Sequence, residues 1–403
     1  MTNALRANDA LWERFTSAEE YAPVFTDQYG RFRFFSSRYA NPLEPAVSRF
    51  LIAHGMEFSY PEDHPFAVCL THDIDWVRYP RGKAAYEMAW SLARGEAGRA
   101  VKLVFGAFVR SRNPLWNFSE IMDMEERYGA RSSFYFLALE PGERDFAFRV
   151  ADLRDEVQEI RRRGWEVGLH GGHDAYRDAD ALRREKDRIE GVLGKPVEGY
   201  RSHYLRFDVP CTWRMLAEAG FLYDATFGYP DCPGFRNGMC HPYKPFDRSR
   251  GSFIEIVEIP LIAMDRTFDA YLRLADEKAW EIIRQLIDVT AQLRGVFTVL
   301  WHNSDFFGSR RELYERILSY CRDGNAWIAA RRSPRGGRRN RAGKASASHE
   351  GVPDRRRLQA HARSHQEPGR KGHRRRRGSF HAAGAGVLLA PLCPARGLPV
   401  SSA

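Results

Sequence analysis

The chain has 403 residues, 43% of them hydrophobic, with 62 Lys/Arg against 52 Asp/Glu for a net charge of +10. That is enough apolar material for one large or two ordinary domains, and it excludes a fibrous or wholly low-complexity chain. The charge is unevenly placed. From Arg331 onward lie 18 of the Lys/Arg but 3 of the Asp/Glu, which leaves 44 basic against 49 acidic groups before it. The body is mildly acidic, so its charge gives no reason to expect nucleic acid as a partner.

In chain order, residues 1–65 are expected to form an N-terminal extension packed on the main domain, with a strand at Phe32–Ser36 and a helix near Pro45–His54. An uninterrupted apolar run, Phe66-Ala67-Val68-Cys69-Leu70, then ends at Thr71-His72-Asp73-Ile74-Asp75, as a strand buried on both faces would. Residues 77–112 show a broken helical pattern and read as a lid or insertion. A helix is expected from Asn113 to about Tyr128, stopped by Gly129.

From there strands and helices alternate. Strands are expected at 133–138, 165–170, 197–201, 221–226, 253–259 and 296–301. Helices are expected at about 150–163, 178–193, 210–219, 274–293 and 309–322, and an irregular loop at 228–250. Seven strands separated mostly by helices predict parallel pairing through right-handed crossovers. The fold class is α/β, either a (β/α) barrel of fewer than eight strands or an open doubly wound sheet. In both, ligand chemistry collects at the carboxyl ends of the strands.

Those ends carry polar side chains in concentration: Asp73 and Asp75; His170-Gly171-Gly172-His173-Asp174; Arg201-Ser202-His203-Tyr204; and Trp301-His302-Asn303. Five of the eight histidines before Arg331 (72, 170, 173, 203 and 302) fall in these segments or in the Thr71–Asp75 motif. Any one of them alone reads as a core or turn residue, but four strands ending alike do not. A carboxylate with imidazoles from different loops can hold a divalent ion with positions left for water. Such an ion lowers the pKa of water and polarises a substrate oxygen, leaving Asp73 as general base and His302 as general acid.

At these residues the chain resembles the polysaccharide deacetylase (NodB-homology) family of carbohydrate esterases, over about residues 66–330. Thr71–Asp75 resembles that family's first motif, His170–Asp174 its H-x-x-x-H motif with Asp at the second ligand position, Arg201–Tyr204 its R-x-P-Y motif with His for Pro, and Val299–His302 its L-x-x-H motif. The resemblance implies a distorted (β/α)₇ barrel and a hydrolase of non-peptide carbon–nitrogen bonds. Its expected activity is removal of acetyl groups from N-acetylated carbohydrate in a bacterial glycan pathway. The alternatives are hydrolysis of a cyclic amide, or an inactive carbohydrate-binding barrel.

The resemblance further implies a zinc ion held by Asp75, His170 and Asp174, with His173 or His203 as alternates. Arg201 would orient Asp73, while Tyr204 and Trp301 would serve substrate or oxyanion. For a fourth motif the candidates are Glu258, Asp265 and Arg236. Six cysteines without C-x-x-C pairing, no apolar leader and no run long enough for a membrane span lead to the expectation of a cytoplasmic protein. Residues 331–403 form a basic low-complexity tail, expected to be disordered and without selected role, such as an out-of-frame extension; the rival is an arm for nucleic acid or another anionic polymer.

Overall fold

A computed structural model describes residues 2–78, 81–93, 95, 97, 98, 100, 101 and 113–328. The expected tail at 331–403 lies outside the described residues, as does part of the 77–112 stretch. The expected strand at Phe32–Ser36 is instead a single 3₁₀ turn, Phe34–Ser36. Its main chain is held by a side chain, the Asp231 carboxylate accepting from Phe34 N at 2.9 Å, so no neighbouring strand is needed.

The architecture is a curled, all-parallel sheet closing toward a distorted (β/α) barrel. Its strands are β1 (Ala67–Ile74), β2 (Ser133–Leu137), β3 (Glu166–Gly171), β4 (Gly199–Ser202), β5 (Tyr223–Asp224), β8 (Val257–Glu258), β9 (Ala263–Met264) and β10 (Val296–Leu300). They run in the order β8-β5-β4-β3-β2-β1-β10-β9, and β11 (Trp327–Ile328) pairs with the start of β1. A separate antiparallel hairpin joins β6 (Phe246–Asp247) to β7 (Ser252–Phe253). The single strand expected at 253–259 is thus split between this hairpin and β8. β9 escaped the sequence reading because a two-residue strand is too short to show a period. Among the described residues no ladder joins β8 to β9, and the chain itself crosses that gap through Ile259–Ile262.

Because side chains on a strand alternate between faces, the outer and inner residues can be separated. Val68, Leu70 and Ile74 of β1, Phe134 and Phe136 of β2, Val167 and Leu169 of β3, and Phe297, Val299 and Trp301 around β10 join one core with the surrounding helices. The inward set begins with Cys69, packed near Tyr135, Tyr223 and Ile259. By the same alternation Thr71 and Asp73, His170, Arg201 and His302 turn inward. The helices that cover the outer face include Phe118–Arg127, Arg154–Arg162, Ala179–Leu193, Asp276–Gln292 and Gly308–Asp323. The helix Ala179–Leu193 shows the local logic: Asp178 caps it by accepting from Asp180 N and Ala181 N, and Gly194 ends it with φ +73°.

The N-terminal extension docks through two kinds of contact. Phe15, Val47 and Leu51 bury against Met239, Tyr243 and Phe246. Glu20 and Arg236 form a buried ion pair, with Arg236 Nε donating to Glu20 Oε1 at 2.9 Å. Arg236, a candidate for a fourth motif, is therefore committed to holding the extension.

Inside the barrel, space for two tyrosines is made by glycines. The Tyr135 and Tyr223 hydroxyls meet at 3.0 Å across the interior. A Cβ at Gly168 would lie 2.6 Å from the Tyr135 ring and 2.9 Å from Gly199 O. Gly168→Ala is therefore expected to destabilise the fold by about 1–3 kcal/mol through overpacking, measured as a lower denaturant midpoint; an unchanged midpoint would show that the tyrosines can shift freely.

Candidate functional site

Three strand ends deliver a compact donor set. Asp75 Oδ1 lies 3.1 Å from His170 Nε2 and 3.5 Å from His203 Nδ1, and those two nitrogens are 3.1 Å apart. Asp73 Oδ2 is 3.7 Å from His170 Nε2, and Asp75 Oδ2 is 3.8 Å from His302 Nε2. Asp73, His170, His203 and His302 are all buried, and Asp75 is partly so. His170 Nδ1 donates to Arg201 O at 3.0 Å, which aims Nε2 into the cluster. Asp73 Oδ1 is buried without a hydrogen-bond partner.

This set fits a divalent ion. Ligand atoms held about 2.1 Å from one tetrahedral ion are separated by about 3.4 Å, close to the three distances above. An unpartnered buried carboxylate oxygen is costly unless a cation or donor meets it. A histidine whose Nδ1–H is fixed by a main-chain carbonyl offers the other nitrogen as a ligand.

The charges sort themselves around Asp75. Burial works against its ionisation, but His203, the hydrogen bond from His170 and the nearby His302 together hold its carboxyl well below the ordinary range. Burial lowers His203 to about 4, against the pull of Asp75, so it is neutral at pH 7 as a ligand must be. His170 is raised, Asp73 and Asp75 outweighing its burial.

His302 has its own partner. Asp265, just beyond β9, accepts from His302 Nδ1 at 2.7 Å and from His302 N at 2.6 Å. Burial disfavours the imidazolium, yet Asp265 and then Asp75 and Asp73 push it up to about 9. The imidazole therefore carries a proton at neutral pH, with Nε2 facing Asp75. Of the three fourth-motif candidates, Asp265 alone reaches the site. Glu258 accepts instead from Trp213 Nε1 at 2.7 Å and from Phe227 N at 3.2 Å.

Several expected residues sit elsewhere. Asp174 is outside the donor set: it is 46% exposed, with Arg177 at 3.5 Å and Arg206 at 3.7 Å. The four-residue spacing from His170 would align side chains on a helix, but Gly171 and Gly172 open a turn there, and the vacant position goes to His203. His173 Nδ1 turns to Asp145 Oδ2 at 3.0 Å. Arg201, fully buried, donates to Thr71 Oγ1 at 2.9 Å, with no hydrogen bond to Asp73 among the described residues. Trp301 is fully buried on the outer face against Tyr314, so it is not a substrate contact; strand alternation puts it opposite His302.

Tyr204 is half-buried beside His203, with ring centroids 3.8 Å apart, in a left-handed turn at φ +59°. Asp145 was missed altogether. It lies 3.9 Å from His203 Nε2, on a loop whose sequence carries no motif to mark it.

No protein-family model matches the chain, and no curated protein matches it. Solved structures do. A probable polysaccharide deacetylase from Pseudomonas aeruginosa PAO1 aligns at 13% identity and TM-score 0.47, covering 77% of this chain and 95% of its own. The PuuE allantoinase aligns at 13% and 0.47, covering 76% and 95%. A family 4 carbohydrate esterase from Streptomyces lividans, in complex with acetate, aligns at 10% and 0.34, covering 65% and 91%. The chain is similar to polysaccharide deacetylases.

The Asp265–His302 pair has a pH signature. An unfolded histidine titrates near 6.5, below the folded value of about 9. The pair's stabilisation is therefore full below about pH 6.5 and is lost as pH rises through about 9. In metal-free protein, Asp265→Asn is expected to bring the His302 resonance down by at least about one unit, since each unit corresponds to about 1.4 kcal/mol of lost interaction. NMR titration of the histidines measures this, and an unshifted His302 would mean that Asp265 does not hold its proton.

Proposed function

We propose that the chain is a metal-dependent hydrolase that removes the acetyl group from an N-acetylated sugar of a bacterial glycan. The observation that carries this reading is the juxtaposition of the Asp75–His170–His203 donor set with two proton-handling groups, Asp73 and His302. The assignment to sugar draws on the ordered motifs from Thr71 to His302. Zinc suits two imidazoles and a carboxylate, and when bound it would supply Lewis acidity toward the acetyl carbonyl and ease ionisation of water.

The chain's own residues divide the rest. Asp73, with one oxygen unpartnered and the other turned toward His170, takes the proton from the attacking water. His302 holds a proton at Nε2 and delivers it to the departing amine, and Asp265 keeps it charged until then. The main-chain N–H of Tyr204 is the candidate donor to the developing oxyanion.

Two sets of variants test the reading, using acetate release from an N-acetylglucosamine oligomer with metal content measured on the same samples. Asp73→Asn is expected to keep its metal and lose turnover by about 10²–10⁴, the usual contribution of a positioned base. Parent-like turnover would remove Asp73 from the mechanism. Asp75→Asn and His203→Ala should bind metal more weakly and carry less of it as purified, while Asp174→Ala should retain it. Metal loss in the Asp174 variant with retention in the His203 variant would return the ligand assignment to the family spacing. No acetate release, with ring opening of a cyclic amide, would replace the sugar by that substrate.

A further inference from the structure

The His203–Tyr204–Leu205 turn, which offers one donor to the cluster, is under backbone strain. Tyr204 and Leu205 both have positive φ, +59° and +57°, with no glycine between them. Consecutive non-glycine residues in this region persist only when their surroundings fix them. The barrel supplies part of that restraint. Arg206 Nη1 donates to His173 O at 2.7 Å, and the Tyr204 ring meets the His173 ring. The remainder comes from the N-terminal extension, more than 170 residues earlier in the chain.

Residues Asp27–Arg31 form a closed turn. Asp27 N donates to Arg31 O at 3.1 Å, and Gly30 N donates to Asp27 O at 2.8 Å, with Gly30 at φ +70°. Asp27 Oδ1 accepts from Tyr29 N and Arg31 N, and its Oδ2 takes Arg31 Nε and Nη2 at 2.9 and 2.7 Å. This leaves one edge of the Arg31 guanidinium pointing out of the turn. That edge donates from Nη1 to Tyr204 O at 3.0 Å, while Nη2 also reaches Tyr271 Oη at 2.8 Å. Arg31 is 4% exposed. The Tyr29 ring stacks on the Tyr204 ring, centroids 4.8 Å apart and planes 22° from parallel.

We infer that the N-terminal extension is part of the active site: Arg31 and Tyr29 are positioning residues that lock the His203–Leu205 turn and so hold the His203 imidazole in the donor set. The inference rests on the reading of Asp75, His170 and His203 as a metal centre. A planar, preorganised fork is needed because one guanidinium must satisfy a carboxylate, a phenol and a carbonyl together. Lysine at position 31 could keep the charge beside Asp27 but could not make all of these bonds. Neither residue touches the reacting atoms, so both act through the turn.

The test uses the full chain and the variants Arg31→Lys and Tyr29→Ala; the first keeps the charge opposite buried Asp27, and the second removes only a half-buried ring. Amide hydrogen exchange of the 202–206 segment is measured without metal or sugar, and zinc affinity is measured by chelator competition. Arg31→Lys is expected to speed exchange in that segment at least about tenfold and to weaken zinc binding about 10–100-fold, the usual effect of losing a residue that orients a ligand. Tyr29→Ala should act in the same direction. In a His203→Ala background, Arg31→Lys should weaken zinc no further, which general destabilisation would not produce.

Exchange at the parent's rate in Arg31→Lys would overturn the inference. So would faster exchange with parent-like zinc affinity, or an equal loss of affinity in the His203→Ala background. If exchange quickens but the parent itself takes up no zinc, the lock on the turn stands and the metal reading falls. Zinc binding without acetate release would remove the deacetylase reading and leave the inference in place.

Discussion

The ends of β1 and β10 are tied together by a buried polar hub on the outer face of the barrel. His72 Nδ1 donates to Trp301 O at 2.7 Å, beyond the last ladder pair between the two strands, and His72 Nε2 meets Glu125 Oε1 at 2.8 Å. Glu125 is fully buried, and its two oxygens also take Tyr314, Ser132 and Trp165. Leaving one member of such a buried polar hub without its partner is costly, about 1–3 kcal/mol. Its use is geometric. His72 precedes Asp73 and Trp301 precedes His302, so one hub on the outer face sets the positions of Asp73 and His302, the proposed base and acid, on the inner face.

On the inner face the same economy of charge recurs. Asp75 keeps its charge despite burial because three imidazoles surround it, and His302 keeps its proton because Asp265 sits behind it. Neither arrangement would survive alone. An isolated buried carboxylate or imidazolium would neutralise itself by shifting its pKa. The site is thus a set of mutually dependent charges, and the extension adds a further one through the Asp27–Arg31 fork.

The N-terminal extension also changes how the domain is understood. Its apolar contacts to Met239, Tyr243 and Phe246 form a small hydrophobic cluster of their own. The buried Glu20–Arg236 pair and the Arg31 contact to Tyr204 do something different, since they bring polar groups from two distant parts of the chain into fixed register. Polar contacts of this kind specify geometry more than they add stability.

The sequence by itself determined the parallel α/β fold and the residues at the strand ends. Apolar runs ending in Asp73 and Asp75, His170, Arg201 and His302 are local patterns, and strand alternation alone places Trp301 opposite His302. The tertiary structure decided which of the polar candidates meet. Two glycines turn Asp174 toward solvent and Arg206, and a strained turn brings His203 into its place. A two-residue strand carries Asp265 to His302, and loops without a motif bring Asp145 and Arg31 beside the His203 turn. Spacing along a chain predicts a meeting only within a regular element, where the repeat is known. Across turns and between elements, partners are chosen by packing and by the need to satisfy buried charge, which no short stretch of sequence displays.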